Sequence, residues 1–349
     1  MVCHTPINVN EITPHLNKTR IISSGIHLPE KIVSSIELFE EFKSDLRYGT
    51  PVDWMSERMG IVERRVAPLS ATPSSLAIPA CEQALANAPD IPLNEIDMVI
   101  FCGIERDQPE PATAHVIQDT LGLNAKYAYD IANACFGFIN GMEMADQFIR
   151  SGAIKYALIC TGETPTKVLE RVIDLLKAGV DRTEYRDRIG GLSVGDAGGA
   201  ILLGPSHNSE GFEGFNTKSV SNHIEKCIYK WHADGSITGQ MKMGPIVKAI
   251  INEHKALFQD TLNKLKWGNF DWLLTHQMGA KPFERFSNLS GVESKKMIKT
   301  YPKLGNITSA TFPIGFHKLR QSGQIKPGDK VGGCFAGSGL AIGQFGYTA

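Results

Sequence analysis

Three residues in separate segments have side chains suited to nucleophilic chemistry. Cys135 lies between small residues, where an extended run gives way to a helical pattern. Backbone N–H groups at a helix start favour a thiolate, so the position predicts a lowered thiol pKa and a nucleophile. A buried structural thiol is the simpler alternative on position alone.

His276 and Asn306 are the candidate partners of this thiol. His276 follows the apolar run 272–274, at the predicted carboxyl end of a strand, where α/β sheets build their sites. Asn306 lies further along, in a glycine-bounded turn from which its amide can reach the imidazole. Each residue alone is more often structural. Cys135, His276 and Asn306 together form a candidate catalytic set.

The elements that must position these residues are indicated by short apolar runs and amphipathic stretches. Runs without alternation predict strands buried on both faces, at 98–102, 156–160, 200–203 and 272–274. Helical patterns cover 75–88 and 137–150, so the fold class is α/β. Weak echoes pair 97–100 with 271–274, and 155–162 with 330–337. They predict two halves, 1–205 and 206–349. The mixed-charge segment at about 164–193 predicts a cap-like insertion in the first half, with a solvated surface excursion as the alternative.

Composition excludes several classes of protein. A hydrophobic fraction of 42% with 34 glycines indicates a globular α/β protein, and a net charge of −1 gives no overall attraction to nucleic acid or anionic membranes. Seven scattered cysteines without a CxxC pair argue against a disulfide framework and a thiolate metal site, and suit the reducing cytoplasm. We expect no metal, no export signal at the N-terminus and no membrane span.

Taken together, the motifs become recognisable. ANACFGF around Cys135, LTHQ around His276 and LGNITSA around Asn306 resemble the Cys, His and Asn motifs of ketoacyl synthase III enzymes in the thiolase superfamily. The resemblance covers nearly the whole chain, with the motifs in matching order. It implies a thiolase-like five-layered αβαβα fold with two pseudo-repeated halves, a homodimer, and thioester substrates of coenzyme A or acyl carrier protein without a cofactor.

The resemblance also implies a reaction, which serves fatty acid or polyketide biosynthesis. An acyl group moves onto Cys135, and a malonyl-type extender then loses CO2 and attacks the thioester to form a carbon–carbon bond. His276 and Asn306 would stabilise the enolate oxygen. The backbone N–H groups of Cys135 and Ser338 would form a second oxyanion hole.

Substrate contacts follow from the same resemblance. Trp54 and Arg64 stand where the family contacts the adenine and phosphates of coenzyme A, and a structural role is the open alternative for either residue. Lys281 and Arg285 are spaced to share a helix face that would meet an acidic carrier protein. A solvated helix face is the open alternative for this pair.

Three positions need separate interpretation. Gly279 replaces the asparagine that usually follows the histidine motif, which removes a polar contact near the substrate. Glu110 replaces an apolar residue that bounds the acyl pocket from the partner subunit, and its surrounding pattern resembles a branch that closes dialkylresorcinol or cyclohexanedione rings. Glu163 follows the apolar run 156–160, and the resemblance to this superfamily implies that a glutamate near the thiol could serve as a base for ring closure. A surface or capping role is the alternative for Glu163.

Two other functions remain open from the residues. A Cys135-dependent acyltransferase or thioester hydrolase would need no carbanion-generating partner, so turnover without decarboxylation distinguishes it. A non-catalytic partner subunit would keep the fold, and failure of Cys135 to accept any acyl group would favour it.

Overall fold

Two mixed β-sheets form the framework of the computed structural model, which describes residues 18–231, 233 and 237–349. The strands are β1 (Thr19–His27), β2 (Lys31–Ser34), β3 (Glu63–Val66), β4 (Ile96–Phe101), β5 (Tyr127–Asp130), β6 (Tyr156–Glu163), β7 (Ala197–Pro205), β8 (Gly211–Ser219), β9 (Cys227–Trp231), β10 (Ile237–Met241), β11 (Trp272–Thr275), β12 (Lys330–Gly337) and β13 (Ala341–Thr348). The α-helices are α1 (Ser35–Glu41), α2 (Ser44–Tyr48), α3 (Trp54–Met59), α4 (Pro73–Ala86), α5 (Thr113–Thr120), α6 (Gly137–Arg150), α7 (Thr166–Ala178), α8 (Arg182–Arg188), α9 (Met243–Leu265), α10 (Ala280–Ser290), α11 (Tyr301–Leu304) and α12 (Thr311–Gln321).

The two large sheets repeat one strand order. The first sheet runs β1-β7-β6-β4-β5, and the second runs β8-β13-β12-β11. The equivalent pairs β4–β6 and β11–β12 are parallel, whereas β6–β7 and β12–β13 are antiparallel, as are β1–β7 and β8–β13. The sequence echoes therefore correspond to β4 with β11 and to β6 with β12, and the predicted pseudo-repeat is confirmed.

Helices cover both sheets and also separate them. Helices α6 and α12 contribute Phe138, Met142, Phe312 and Phe316 to a core that includes residues of both sheets. Helices α4 and α5 pack on the outer face of the first sheet, and α9 and α10 pack with residues of the second. Because each sheet is buried on both faces, its strands read as continuous apolar runs. The layers are αβαβα, as expected.

Close packing of α4 on the first sheet depends on glycine. A Cβ atom built on Gly162 would lie 1.8 Å from the carbonyl oxygen of Pro73, and one on Gly198 would lie 1.9 Å from that of Leu76. Neither position has room for a side chain, so the helix backbone rests directly on β6 and β7. This contact fixes the end of β6, which carries Glu163.

Strands of the first sheet lie within 19–205 and those of the second within 211–348. We therefore propose residues 1–205 and 206–349 as the two halves. The segment 164–193 contains α7, α8 and a 3-10 turn at 189–193. The segment 1–17, in which no export signal is predicted, lies outside the described residues. Among the described helices, none is both long and apolar enough to cross a membrane.

Candidate active site

Cys135 lies in a sharp turn between β5 and α6. Ala134 has a φ of 47°, in the left-handed region that non-glycine residues rarely adopt, and Gly137 donates to the Ala134 carbonyl at 3.1 Å. Such backbone strain costs about 1–3 kcal/mol and is often found at functional sites. The helix begins only at Gly137, so Cys135 stands two residues before the first helical turn.

The thiol is therefore not acidified as the sequence predicted. Cys135 is half-buried, and its surroundings raise its pKa, first through burial and then through the negative charge of Glu163. A helix terminus is worth about 0.3–1 kcal/mol, which is less than one pKa unit, whereas burial shifts a pKa by up to several units. The expected lowering was wrong, and the thiol needs a base when it attacks.

Glu163 ends β6 and is almost fully enclosed, with an exposed fraction of 1%. Burial raises the pKa of its carboxyl to about 7, although hydrogen bonds oppose the rise. The carboxylate accepts a hydrogen bond from the Ser309 hydroxyl and another from the Ile104 N–H at 3.3 Å. A carboxyl that titrates near neutrality can take and return a proton, so the chemistry of a general base is available here.

His276 follows β11 and is held by the neighbouring strand. Its backbone N–H donates to the carbonyl oxygen of Cys334 in β12 at 3.0 Å. Burial lowers the pKa of the imidazole to about 4, so the ring is neutral at physiological pH. Its Nδ1 has no hydrogen-bond partner within the described residues. Gln277 fixes the following loop by donating to the Ile298 carbonyl at 2.7 Å.

Asn306 is positioned by backbone hydrogen bonds to a segment of the first half. Its N–H donates to the Ser193 carbonyl at 2.8 Å, and its carbonyl accepts from the Gly195 N–H at 3.2 Å. Its side-chain oxygen accepts from the Thr308 N–H at 3.1 Å, which leaves the amide nitrogen as the donor for a ligand. Thr308 has a φ of 49°, so this turn is strained as well.

Strand β12 and the loop after Asn306 join these segments. A Cβ atom on Gly337 would lie 2.8 Å from the Asn133 carbonyl oxygen and 2.9 Å from the Phe136 nitrogen, so the end of β12 touches the Cys135 turn. The same strand holds His276, and Ser309 of the asparagine loop contacts Glu163. The three predicted motifs therefore converge, with Ser338 immediately after the glycine contact.

A cavity of about 600 Å³ lies beside helices α3 and α10. Three residues that were predicted to contact the substrate line this cavity: Trp54, Gly279 and Lys281. Besides Lys281, its wall contains one acidic side chain, Asp187, and four basic ones: Arg58, Arg186, Lys242 and Arg285. Such a wall suits an anionic ligand. We call it the entrance cavity.

Gly279 has a backbone conformation that restricts its side chain. Its φ is 128°, and a Cβ atom would lie 2.8 Å from the Met59 carbonyl oxygen. The position therefore has room for glycine only, since both the torsion and the neighbouring backbone exclude a side chain.

Arg64 is placed differently from the expectation. Its exposed fraction is 0%, and its guanidinium donates to the Ser35 hydroxyl and to the Leu192 carbonyl, each at 3.0 Å. It does not line the entrance cavity. The expected contact with coenzyme A phosphates is wrong, because the side chain is used inside the protein.

Glu110 is exposed and lies outside the entrance cavity of its own chain. It is close in sequence to Thr113, whose N–H donates to Asp130 at the end of β5 at 2.9 Å. The residue therefore belongs to the region of the edge strand of the first sheet. A role in substrate contact requires a second chain.

Two residues near the thiol were missed by the sequence reasoning. Cys227 and Tyr229 alternate along β9 and so share one face of that strand. Burial raises the pKa of the Cys227 thiol and of the Tyr229 phenol, and each of these groups interacts electrostatically with Cys135. Nothing in their sequence context predicted this. The Tyr229 ring lies across Gly239 on β10, where a Cβ atom would be 2.2 Å from the ring.

Comparison with known structures first defines the class of protein. The chain is similar to crystal structures of OleA from Xanthomonas campestris, with a TM-score of 0.89 and 25% identity over 96% of this chain and 99% of the other. Another OleA structure, with bound lauric acid and lauroyl-CoA, gives a TM-score of 0.88 with 25% identity over 96% of this chain and 100% of that chain. The fold and site are those of a thiolase-like condensing enzyme.

Sequence comparison then gives the family. Models of 3-oxoacyl-[acyl-carrier-protein] synthase III match residues 129–221 and, for the C-terminal part, 261–346, which is about half of the chain. Beta-ketoacyl-[acyl-carrier-protein] synthase III of Rickettsia bellii is 29% identical over 93% of this chain and 98% of its own length. That of Wolbachia pipientis is 28% identical over 94% and 98%.

The chain belongs to the 3-oxoacyl-[acyl-carrier-protein] synthase III family of the thiolase superfamily. It is a cysteine-dependent condensing acyltransferase, and this class uses thioester substrates without a cofactor. Within the described residues, no group of His, Cys, Asp and Glu side chains is arranged to hold a metal ion.

Proposed function

We propose that Cys135 receives an acyl group from a thioester and that this group is joined to a malonyl-type or β-ketoacyl second substrate. The observation that carries the proposal is the convergence of the Cys135 turn, the His276 loop and the Asn306 loop on β12 and Glu163. In the first step, the Cys135 sulfur attacks the thioester carbonyl, a base takes the thiol proton, and the released thiol takes up a proton.

The second step, carbon–carbon bond formation, needs hydrogen-bond donors that stabilise an enolate rather than groups that give up a proton. Loss of CO2 from a malonyl thioester leaves an enolate, whose carbon attacks the acyl carbonyl and displaces the Cys135 sulfur. Burial lowers the pKa of His276 to about 4, so the neutral imidazole acts as a hydrogen-bond donor to the enolate oxygen. The Asn306 amide supplies a second donor. Backbone N–H groups of Cys135 and Ser338 stabilise the oxyanion formed on the acyl group.

The test begins with acylation. The protein and its Cys135→Ala variant are incubated with a panel of acyl-coenzyme A thioesters, and their intact masses are measured. The expected result is an acyl adduct on the wild type only. The acyl-enzyme is then offered malonyl and β-ketoacyl thioesters. An adduct that is only hydrolysed or passed to an alcohol or amine, with no carbon–carbon product, would replace this proposal with the acyltransferase or hydrolase alternative.

Ring closure to a cyclohexanedione or resorcinol is a second candidate, favoured by Glu163. Burial raises the pKa of its carboxyl to about 7, and its charge acts on the Cys135 thiol. A base of this strength beside the acyl group suits removal of a proton between two carbonyls. Glu163→Gln is expected to release uncyclised condensation product while Cys135 acylation continues. Loss of acylation and cyclisation together would refute this separate role.

We also propose a homodimer that pairs through the β5 edge. Among the described residues this strand is one of the two edges of the first sheet, and Ile104, Tyr127 and Met144 are exposed, each by 38–44%. An unpaired edge with apolar neighbours suits a second copy. Glu110, in the same region, would then contact acyl chains in the partner's site.

A mixing experiment tests the placement of Glu110. Cys135→Ala and Glu110→Gln chains are co-expressed with different tags, and the mixed dimer is purified. In that dimer one site has both Cys135 and a partner with Glu110, so activity above either homodimer is expected. Mixed dimers no more active than the Glu110→Gln homodimer would contradict action across subunits.

Lys281 and Arg285 of α10 both line the entrance cavity, which supports delivery of thioesters bearing anionic groups at this face. We propose a cytoplasmic location, supported by the free state of all six cysteines within the described residues.

A further inference from the structure

A row of polar side chains crosses the second sheet beneath α9. The strand register places one residue of each strand side by side, in the order β11-β12-β13-β8: Thr275, Cys334, Gln344 and Asn216. These side chains share the face of the sheet that packs against α9. The first three are each exposed by 1% and Asn216 by 8%. This polar row therefore lies inside the protein, and it ends at Thr275, directly before His276.

The fold does not require polar side chains at this place. The equivalent row of the first sheet packs on α4 in an apolar cluster and consists of Phe101, Cys160, Ala200 and Gly25. Because the two halves repeat one strand order, the first sheet shows that an apolar row is sufficient. Buried polar groups destabilise a core unless they are hydrogen-bonded. Their presence in the second half points to the residue at the end of the row, His276.

Two amides of the polar row attach the sheet to α9. The Gln344 amide nitrogen donates to the His254 carbonyl at 2.9 Å and to His254 Nδ1 at 3.2 Å. A carbonyl oxygen only accepts, which fixes the orientation of this amide. Further along the row, the Asn216 amide nitrogen donates to the Thr261 hydroxyl at 2.9 Å. Because these contacts are directional, they hold α9 in one position on the sheet more strictly than apolar packing does.

Two oxygens of the polar row have no hydrogen-bond partner among the described residues. They are the Thr275 hydroxyl and the Gln344 amide oxygen, and both are buried. They belong to the two strands on either side of β12, next to the short side chain of Cys334. Ordered water commonly supplies the hydrogen bonds of such buried oxygens. The hydroxyl can donate to water or accept from it, and the amide oxygen can accept from it.

We propose that the polar row binds ordered water between the Thr275 hydroxyl and the Gln344 amide oxygen, and that this link positions His276 for carbon–carbon bond formation. The link runs from α9 through Gln344 and the water to Thr275, the last residue of β11. The His276 N–H binds the carbonyl of Cys334, in the same row, at 3.0 Å. Thr275 and Gln344 act through His276, so they are positioning residues. The positioning role rests on the proposed condensation function, whereas the water site does not.

Thermal unfolding tests the water site without turnover. Thr275→Val keeps the shape of the side chain and removes its hydroxyl. If the hydroxyl binds water, this variant loses a buried hydrogen bond, and its melting temperature should fall by roughly 1–3 °C. If the hydroxyl has no partner, valine removes an uncompensated polar group. An unchanged or raised melting temperature would therefore overturn the proposal.

Two rates test the positioning role. Acylation of Cys135 is followed by intact mass, and carbon–carbon bond formation is followed by product release from the preformed acyl-enzyme. Thr275→Val and Gln344→Leu should each slow bond formation roughly tenfold and leave acylation unchanged. Because the water joins these two residues, the double variant should also be slowed about tenfold rather than about a hundredfold. Thr275→Ser keeps the hydroxyl and should retain the wild-type ratio of the two rates.

Thr261→Val is the matched control, since it makes the same substitution at the opposite end of the polar row. It should lower the melting temperature, because the Thr261 hydroxyl accepts from Asn216, and leave the ratio of the two rates unchanged. An unchanged ratio in Thr275→Val and Gln344→Leu would overturn the positioning role, and independent effects in the double variant would overturn the water link. If even the wild type forms no carbon–carbon bond but Thr275→Val lowers the melting temperature, the proposed function fails and the water site stands.

Discussion

Glu163→Gln is expected to change the pH dependence of the free energy of unfolding. Burial raises the pKa of the Glu163 carboxyl from 4.5 to about 7. Between these values, the folded protein keeps a proton that the unfolded chain has released. The unfolded state then binds fewer protons, so the free energy of unfolding falls as the pH rises through this interval. The destabilisation is complete above about pH 7 and absent well below pH 4.5.

The magnitude follows from the same values. A rise in pKa from 4.5 to about 7 corresponds to roughly 3 kcal/mol of destabilisation at high pH. Glutamine does not titrate. The free energy of unfolding of the variant should therefore rise relative to that of the wild type by up to about 1.4 kcal/mol per pH unit across the interval. Its oxygen can still accept from the Ser309 hydroxyl. Its unpaired amide hydrogens cost about 1–3 kcal/mol, equally at every pH.

Urea unfolding followed by circular dichroism, at a series of pH values between about 5 and 9, measures this difference. Glu57→Gln is the matched control, because Glu57 is exposed in the folded protein and its carboxylate stays solvated in both states. Its difference from the wild type should stay constant with pH. Parallel curves for the wild type and Glu163→Gln would refute the reasoning, since they would mean that the carboxyl titrates alike in both states.

Four further outcomes are expected. Replacing His276 by alanine should leave Cys135 acylation intact by mass spectrometry and slow carbon–carbon bond formation by about 10²-fold or more; equal loss of both steps would contradict a donor role. Burial lowers the pKa of His276 from 6.5 to about 4, so its contribution to stability is present above pH 6.5 and is lost as the pH falls towards 4; this loss should disappear in the alanine variant. Gly279→Ala forces a side chain towards the Met59 carbonyl and should raise the KM for the acyl donor, with a loss of about 1–3 kcal/mol in unfolding experiments; unchanged kinetics would show that the loop relaxes. Arg64→Ala should cost about 3 kcal/mol or more in unfolding experiments with little change in KM, because two buried acceptors lose their donor; the opposite pattern would restore a ligand-binding role.

The local sequence was sufficient to predict those features that depend on a single segment of the chain. Uninterrupted apolar runs predicted β4, β6, β7 and β11, because strands buried on both faces have no polar positions. Of the predicted helices, 137–150 is helical over its whole range, whereas 75–88 is shifted by two residues from α4, which runs Pro73–Ala86. The order of the Cys135, His276 and Asn306 motifs gave the family, which the comparisons support.

The pKa values and the partners of charged side chains depended on the tertiary structure. The sequence placed Cys135 at a helix start and predicted an acidified thiol, but burial and the Glu163 carboxylate raise the thiol pKa. Glu163 comes from another strand, and its own pKa is set by enclosure among residues far along the chain. Arg64 was assigned to a ligand although its donors are used by Ser35 and Leu192. Burial and charge proximity are sums over distant segments, which no local pattern contains.

The catalytic motifs could be predicted from the sequence, whereas the cavities that would bind substrates could not. Sequence by itself determined the fold class, the repeated halves and the candidate catalytic set, because strand periodicity and motif identity are properties of short segments. Only the tertiary structure brought Arg47, Arg182 and Tyr185 to the wall of one cavity, and placed the charge of Cys135 where it acts on Tyr229. A binding cavity is formed when side chains from separate elements pack around the same space, and that meeting is decided by the fold.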